Sequence, residues 1–149
     1  MLLKSLVPAG LVLLLLTGCD AHRLEKEFFK KPPETRVARL RQYPIPEQYQ
    51  IFRYGNDRIE PPALELANPI AERGAQAVPF LFSKLNSERD DIDVRDIVLV
   101  FSVMAALRSY DVKSDVGLIT KLESAVAGMS DKDWQSMCAA MLIRIKQSS

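Results

Sequence analysis

The chain of 149 residues is poor in the side chains that most often carry chemistry, with one histidine, two cysteines and six glycines. Nucleophilic catalysis through a histidine base would have to use His22, close to the amino terminus. No glycine falls between Gly74 and Gly117, so the acidic group Glu88, Asp90, Asp91, Asp93 and Asp96 lacks the residue that makes the sharp turn of a calcium loop. Carboxylates at a helix start instead offset the positive end of its dipole, and capping is the role expected of them. A glycine-rich nucleotide loop is missing as well. Nothing singles out two carboxylates for acid–base work. An excess of charge of one sign is also lacking: 20 basic residues face 19 acidic ones, which gives no general pull toward nucleic acid. These shortages point away from an enzyme, and no metal, nucleic-acid partner or small-molecule substrate is expected.

What the chain does have is a leader. Lys4 precedes an apolar stretch over 5–17, thirteen residues that include Pro8. Spanning a bilayer takes about 20 apolar residues, so the layout is that of a secretory signal. Leu16-Thr17-Gly18-Cys19 at its end resembles the lipobox of bacterial lipoproteins. The resemblance implies cleavage before Cys19 and acylation of its thiol and new amino terminus. Covalent lipid on Cys19 is then the only prosthetic group expected, and the membrane is a partner through the acyl chains. Asp20 resembles the inner-membrane retention signal of enterobacterial sorting, while Ala21 supports it weakly and leaves the outer membrane open. Either way the body belongs to the bacterial envelope, facing the periplasm or the outer surface.

Removal of 1–18 leaves 131 residues with 19 basic and 19 acidic side chains, a length that suits one domain. With Cys19 acylated, Cys138 has no disulfide partner, and one histidine with one cysteine cannot build a zinc site of nitrogen and sulfur ligands. Trp134, Met137, Cys138, Met141, Leu142 and Ile145 recur at helical spacing, which puts all six on one face and predicts a buried thiol.

Prolines divide the chain beyond the leader. A lipidated tether over 19–33 is expected, then a proline-rich irregular arm over 34–61 with short helices at 34–42 and 47–54, the second stopped by Gly55. From 62 to 149 the periodicity is helical. Asn68-Pro69 looks like an N-cap followed by proline, and Gly74 ends that segment. Ala77, Val78, Leu81, Phe82 and Leu85 mark a helix with Pro79 in its first turn. The run 97–107 is apolar except at Ser102 and predicts a central helix over about 93–109, wrapped on most sides. Ser114 and Asp115 cap a helix with Val116, Ile119, Leu122 and Val126 inward, closed by Gly128. Ser130 opens the last helix, with Asp133 as a weak capping-box partner.

Short polar turns between such helices make an all-α domain. The stretch 74–108 also resembles a HEAT-like repeat unit, with Pro79 in the first helix and, in the second, an acidic residue among Asp90, Asp91 and Asp93, here taken as Asp93, followed by Arg95. The family resemblance implies that the acid and the arginine support stacking between repeats. Only two clear pairs and one partial one are present, so the reading is a small compact HEAT-like domain or an orthogonal helix bundle.

Two features suit binding. Arg23, Lys26, Lys30, Lys31, Arg36, Arg39 and Arg41 against Glu25, Glu27 and Glu34 leave four excess positive charges beside the lipid, a membrane-contact arm or an ordinary solvated tether. Six of the eleven aromatic residues fall between 28 and 54. Of these Tyr43, Tyr49, Phe52 and Tyr54, with Arg53, are candidates for protein binding, because Tyr and Arg dominate binding hot spots. The other reading is that this arm packs its rings on the domain. The function expected is therefore a lipid-anchored, non-catalytic protein-binding or scaffolding module, with a toxin-neutralising immunity protein as the alternative and an enzyme acting on an envelope polymer third.

Overall fold

A computed structural model describes residues 22–86 and 90–148; the leader, Cys19, Asp20 and Glu88 lie outside the described residues. Among the described residues the protein is an all-α bundle of eight α-helices with no strand: α1 (Arg23–Phe29), α2 (Arg36–Leu40), α3 (Ile45–Arg58), α4 (Ala67–Glu72), α5 (Val78–Asn86), α6 (Asp91–Leu107), α7 (Val116–Ala127) and α8 (Lys132–Gln147). Successive helices pair, α3 with α4, α5 with α6 and α7 with α8. The apolar α6 lies in the middle, packed most extensively against α4 and α8, and also touched by α3, α5 and α7. Val94, Ile97, Val98, Val100, Phe101 and Met104 are all buried on it, as its near-continuous apolar run predicts.

Local signals place most helix ends where the sequence puts them. Asp90 caps α6 by accepting from the Asp93 backbone N–H at 2.8 Å, and Asp115 caps α7 from Leu118 N–H at 3.0 Å. Each such cap contributes about 1 kcal/mol. Gly128 ends α7. Gly74 adopts φ +54°, and a Cβ there would collide with the Ser109 carbonyl oxygen just beyond α6, so glycine is required for both conformation and space.

Other starts shift. The cap of α8 is Asp131, which accepts from Asp133 and Trp134 N–H at 3.0 and 2.9 Å; Ser130 and Asp131 in turn donate their own N–H groups to Asp91 of α6 at 2.9 and 2.7 Å. Asn68 is no N-cap. A 3₁₀ turn, Leu64–Leu66, leads straight into α4, and Pro69 sits in the first turn, where its missing N–H costs little. Val116 opens α7 but stays 74% exposed, and Leu118 takes the inward place.

The largest departure is the amino-terminal third. The span expected as a tether contains α1, with Phe28 only 2% exposed in the core. Gly55 does not stop α3, which runs on to Arg58. A Cβ at Gly55 would lie 2.5 Å from the Phe29 ring and 3.1 Å from the Ala63 side chain, so this glycine is the seat on which α1 and the 59–63 loop meet α3. One cluster joins Phe28, Leu40, Tyr49, Ile51 and Phe52 to the residues of the later helices, and the core thus crosses the expected boundary at 61. Fully burying a side chain such as Phe52 or Ile51 contributes about 2 kcal/mol, enough to hold segments too short to be helical alone.

Candidate binding groove

The apolar stripe of α8 is wider than the core can cover. Cys138, Leu142 and Ile145 turn inward, whereas Met137 is 44% exposed and Trp134 and Met141 are half-buried. These last three line a groove of about 270 Å³ whose other walls are Pro62 and Leu64 from the loop after α3, Asn56 of α3, and Arg95 and Leu99 of α6. Leu64 is 51% exposed on its rim.

A polar floor underlies it. The Arg95 guanidinium lies over the Trp134 ring, 4.6 Å from its centroid, and Arg95 Nε donates to Asp96 Oδ1 at 2.9 Å. The same oxygen accepts from Asn56 Nδ2 at 2.5 Å. Asp96 is wholly buried. Burial pushes its carboxyl up to about 6, against the pull of Arg95 and Asn56. Among the described residues, Asp96 Oδ2 and Arg95 Nη2 have no partner, so this charged pair is fastened on one side only. Exposed Leu and Met beside an arginine–tryptophan stack make a surface suited to an apolar segment of another chain: methionine adapts its shape, and Trp and Arg anchor contacts. No protein-family model matches the chain, and neither a curated protein nor a solved structure matches it.

None of the five residues expected to bind a protein, Tyr43, Tyr49, Phe52, Arg53 and Tyr54, lines this groove. Tyr49 and Phe52 are corrected outright, being 3% and 0% exposed in the core. The Tyr49 hydroxyl donates to Asp93 at 2.9 Å, and Arg53 bonds the same oxygen at 2.7 Å and Asp90 at 2.8 Å. Burial, reinforced by Asp93, raises the Tyr49 pKa. Tyr54 is half-buried between His22 and Phe29, and Tyr43 packs edge-on against Phe28. Rings in this arm are thus cement. The acidic group divides into structural duties as well: Asp90 caps, Asp91 holds the start of α8, Asp93 binds α3, and Asp96 joins Asn56. Asp93 therefore ties α6 to the preceding helix pair and Arg95 ties it to the following one. Pro79 occupies the second position of α5.

Of the basic residues, Arg41 forms a bidentate pair with Glu72 at 2.7 Å and Arg36 donates to the Phe29 and Lys31 carbonyls while lying over the Phe29 ring. Lys30 pairs with Glu27. Arg23, Lys26, Lys31 and Arg39 are exposed. Burial raises the Cys138 thiol to about 11, which makes it a poor nucleophile. No group of three or more His, Cys, Asp or Glu among the described residues is placed to hold a metal, and none of their helices is long and apolar enough to cross a membrane.

Sequence reasoning missed Asn56, Leu64, Trp134, Met137 and Met141 as a site. The α8 stripe carries no mark of it, since six apolar residues over the twelve of 134–145 are the ordinary density of a helix face turned to a core.

Proposed function

We propose that this chain is a lipid-anchored protein of the bacterial envelope whose helical body binds another protein without catalysing a reaction. The single observation that carries the binding half is the groove in which exposed Leu64 and Met137 flank the Arg95–Trp134 stack. The anchor rests on Leu16-Thr17-Gly18-Cys19, and Asp20 favours retention at the inner membrane with the body in the periplasm. Stacked helix pairs tied through Asp93 and Arg95 support the HEAT-like reading, and folds of that kind bind proteins more often than they catalyse. A toxin-neutralising protein would present an acidic or aromatic face as a decoy. Asp90 and Asp93 are engaged by Arg53 and the rings are packed inward, so the groove favours a binding module.

Two measurements test this. A photo-crosslinking residue at 137 in cells should capture one defined envelope protein, the same residue at 116 should not, and Trp134→Ala should abolish the product; no product at 137 refutes the groove. Labelled palmitate should enter the wild-type chain and not Cys19→Ser, and equal labelling of both refutes the anchor.

A further inference from the structure

A second pocket, of about 240 Å³, opens between α1 and α2 and is unlike the groove in chemistry. Lys31, Arg39, Gln42 and Tyr43 line it, with Leu24 and Phe28 beneath. These four polar side chains offer an ammonium, a guanidinium fork, an amide and a hydroxyl, all of which can donate. Its one acid, Glu27, is already matched by Lys30 at 2.6 Å. Arg39 spends only Nε, on the Thr35 hydroxyl at 3.3 Å. Several donors around two cations, with the one nearby carboxylate of Glu27 shared between Lys30 and Lys31, is an arrangement for a phosphoryl group, which brings only acceptors and negative charge.

Position says where that group comes from. Leu24 is five residues after Cys19, and five residues reach at most about 18 Å, so an acylated Cys19 holds this pocket within reach of the headgroups. The apolar floor suits the glycerol and first methylenes behind a headgroup phosphate. We infer that the α1–α2 pocket binds the phosphate of an anionic phospholipid headgroup and so fixes how the body stands on the membrane. This rests on the lipid-anchored reading of Cys19.

The test uses the acylated full-length protein, isolated from membranes and reconstituted in vesicles of phosphatidylcholine alone or of equal parts phosphatidylcholine and phosphatidylglycerol. The acetylation rate of Lys31 is read by mass spectrometry, with the exposed Lys113 as internal reference. Lys31 should be protected about fivefold in the anionic vesicles, the weight of one cation close to such a surface. Arg39→Gln should remove most of that protection while the protein still floats with the vesicles and melts at an unchanged temperature. Equal Lys31 rates in the two vesicle types overturn the inference with the anchor intact. Equal protection by inorganic phosphate added to phosphatidylcholine vesicles overturns the lipid source in favour of a free anion. A protein that floats with neither set overturns the anchor, and this inference with it.

Discussion

On α3, Tyr49 and Arg53 sit one helical turn apart and share the Asp93 carboxylate, with every polar atom of the tyrosine matched and its ring in the core. Two residues along α6 from Asp93, Arg95 lies on Trp134 at the edge of a groove, and one of its nitrogens has no partner among the described residues. The side-chain types are alike, and the aromatic-rich stretch made the first pair a candidate for binding, beside the reading in which its rings pack on the domain. What differs is cover. α3 is packed by α1, α4 and α6, which bury its rings and match its arginine, whereas among the described residues no helix lies over the flank of α8 that carries Trp134 and Met137. A residue type with binding potential becomes cement when its face is covered and stays open to a partner when it is not.

Substitutions can break that contrast. The largest effect is expected on the covered side: Phe52→Ala should lose about 3–5 kcal/mol in denaturant unfolding, as a buried ring leaves a cavity. A loss below about 1 kcal/mol would show that α3 is not part of the core. Next, Asp96→Asn probes the floor of the groove. Because the native carboxyl titrates at about 6, above its ordinary value of 3.8, the folded state holds the proton more tightly than the unfolded one. Its contribution is full below about pH 4 and declines as pH rises to about 6, by roughly 3 kcal/mol at most. Glu25, Glu72 and Asp115 are shifted downward and act in the opposite sense, so the difference between wild type and Asp96→Asn is the quantity to follow. The variant should gain stability relative to wild type across that window, and a constant difference would place the titration elsewhere.

Trp134→Ala should cost at least about 2 kcal/mol of partner binding, a thirtyfold loss in affinity, with less than half the stability loss of Phe52→Ala. The reverse ordering would exchange the roles of the two regions. Tyr49→Phe should lose about 1–2 kcal/mol of stability, since Asp93 gives up a donor in a part-buried place, and should leave the crosslink at 137 intact. Smallest of all, Val116→Ser changes an exposed apolar residue away from both regions and should shift stability by no more than about 0.5 kcal/mol, which gives the baseline for the rest.

Most of the fold was legible because helix ends obey local rules. Asp90, Asp115 and Gly128 act within a turn of their own positions, so their roles follow from neighbours in sequence. Two of the misplaced features depend on distant partners. Gly55 reads as a stop until Phe29 is packed on it, and Ser130 reads as a cap until Asp91 takes its N–H. The groove was illegible for the same reason: Asn56, Leu64, Arg95 and Met137 are far apart in the chain and meet only after α3, α6 and α8 have packed.

By itself the sequence determined that this is an all-α chain with a central apolar helix and a buried, unreactive Cys138, because periodicity, capping and composition are properties of short segments. Tertiary structure alone decided which apolar residues are covered. Helical spacing puts Trp134, Met137, Cys138, Met141, Leu142 and Ile145 on one side of α8, but the width of the surface that α6 and α7 offer sets where the core ends and the groove begins.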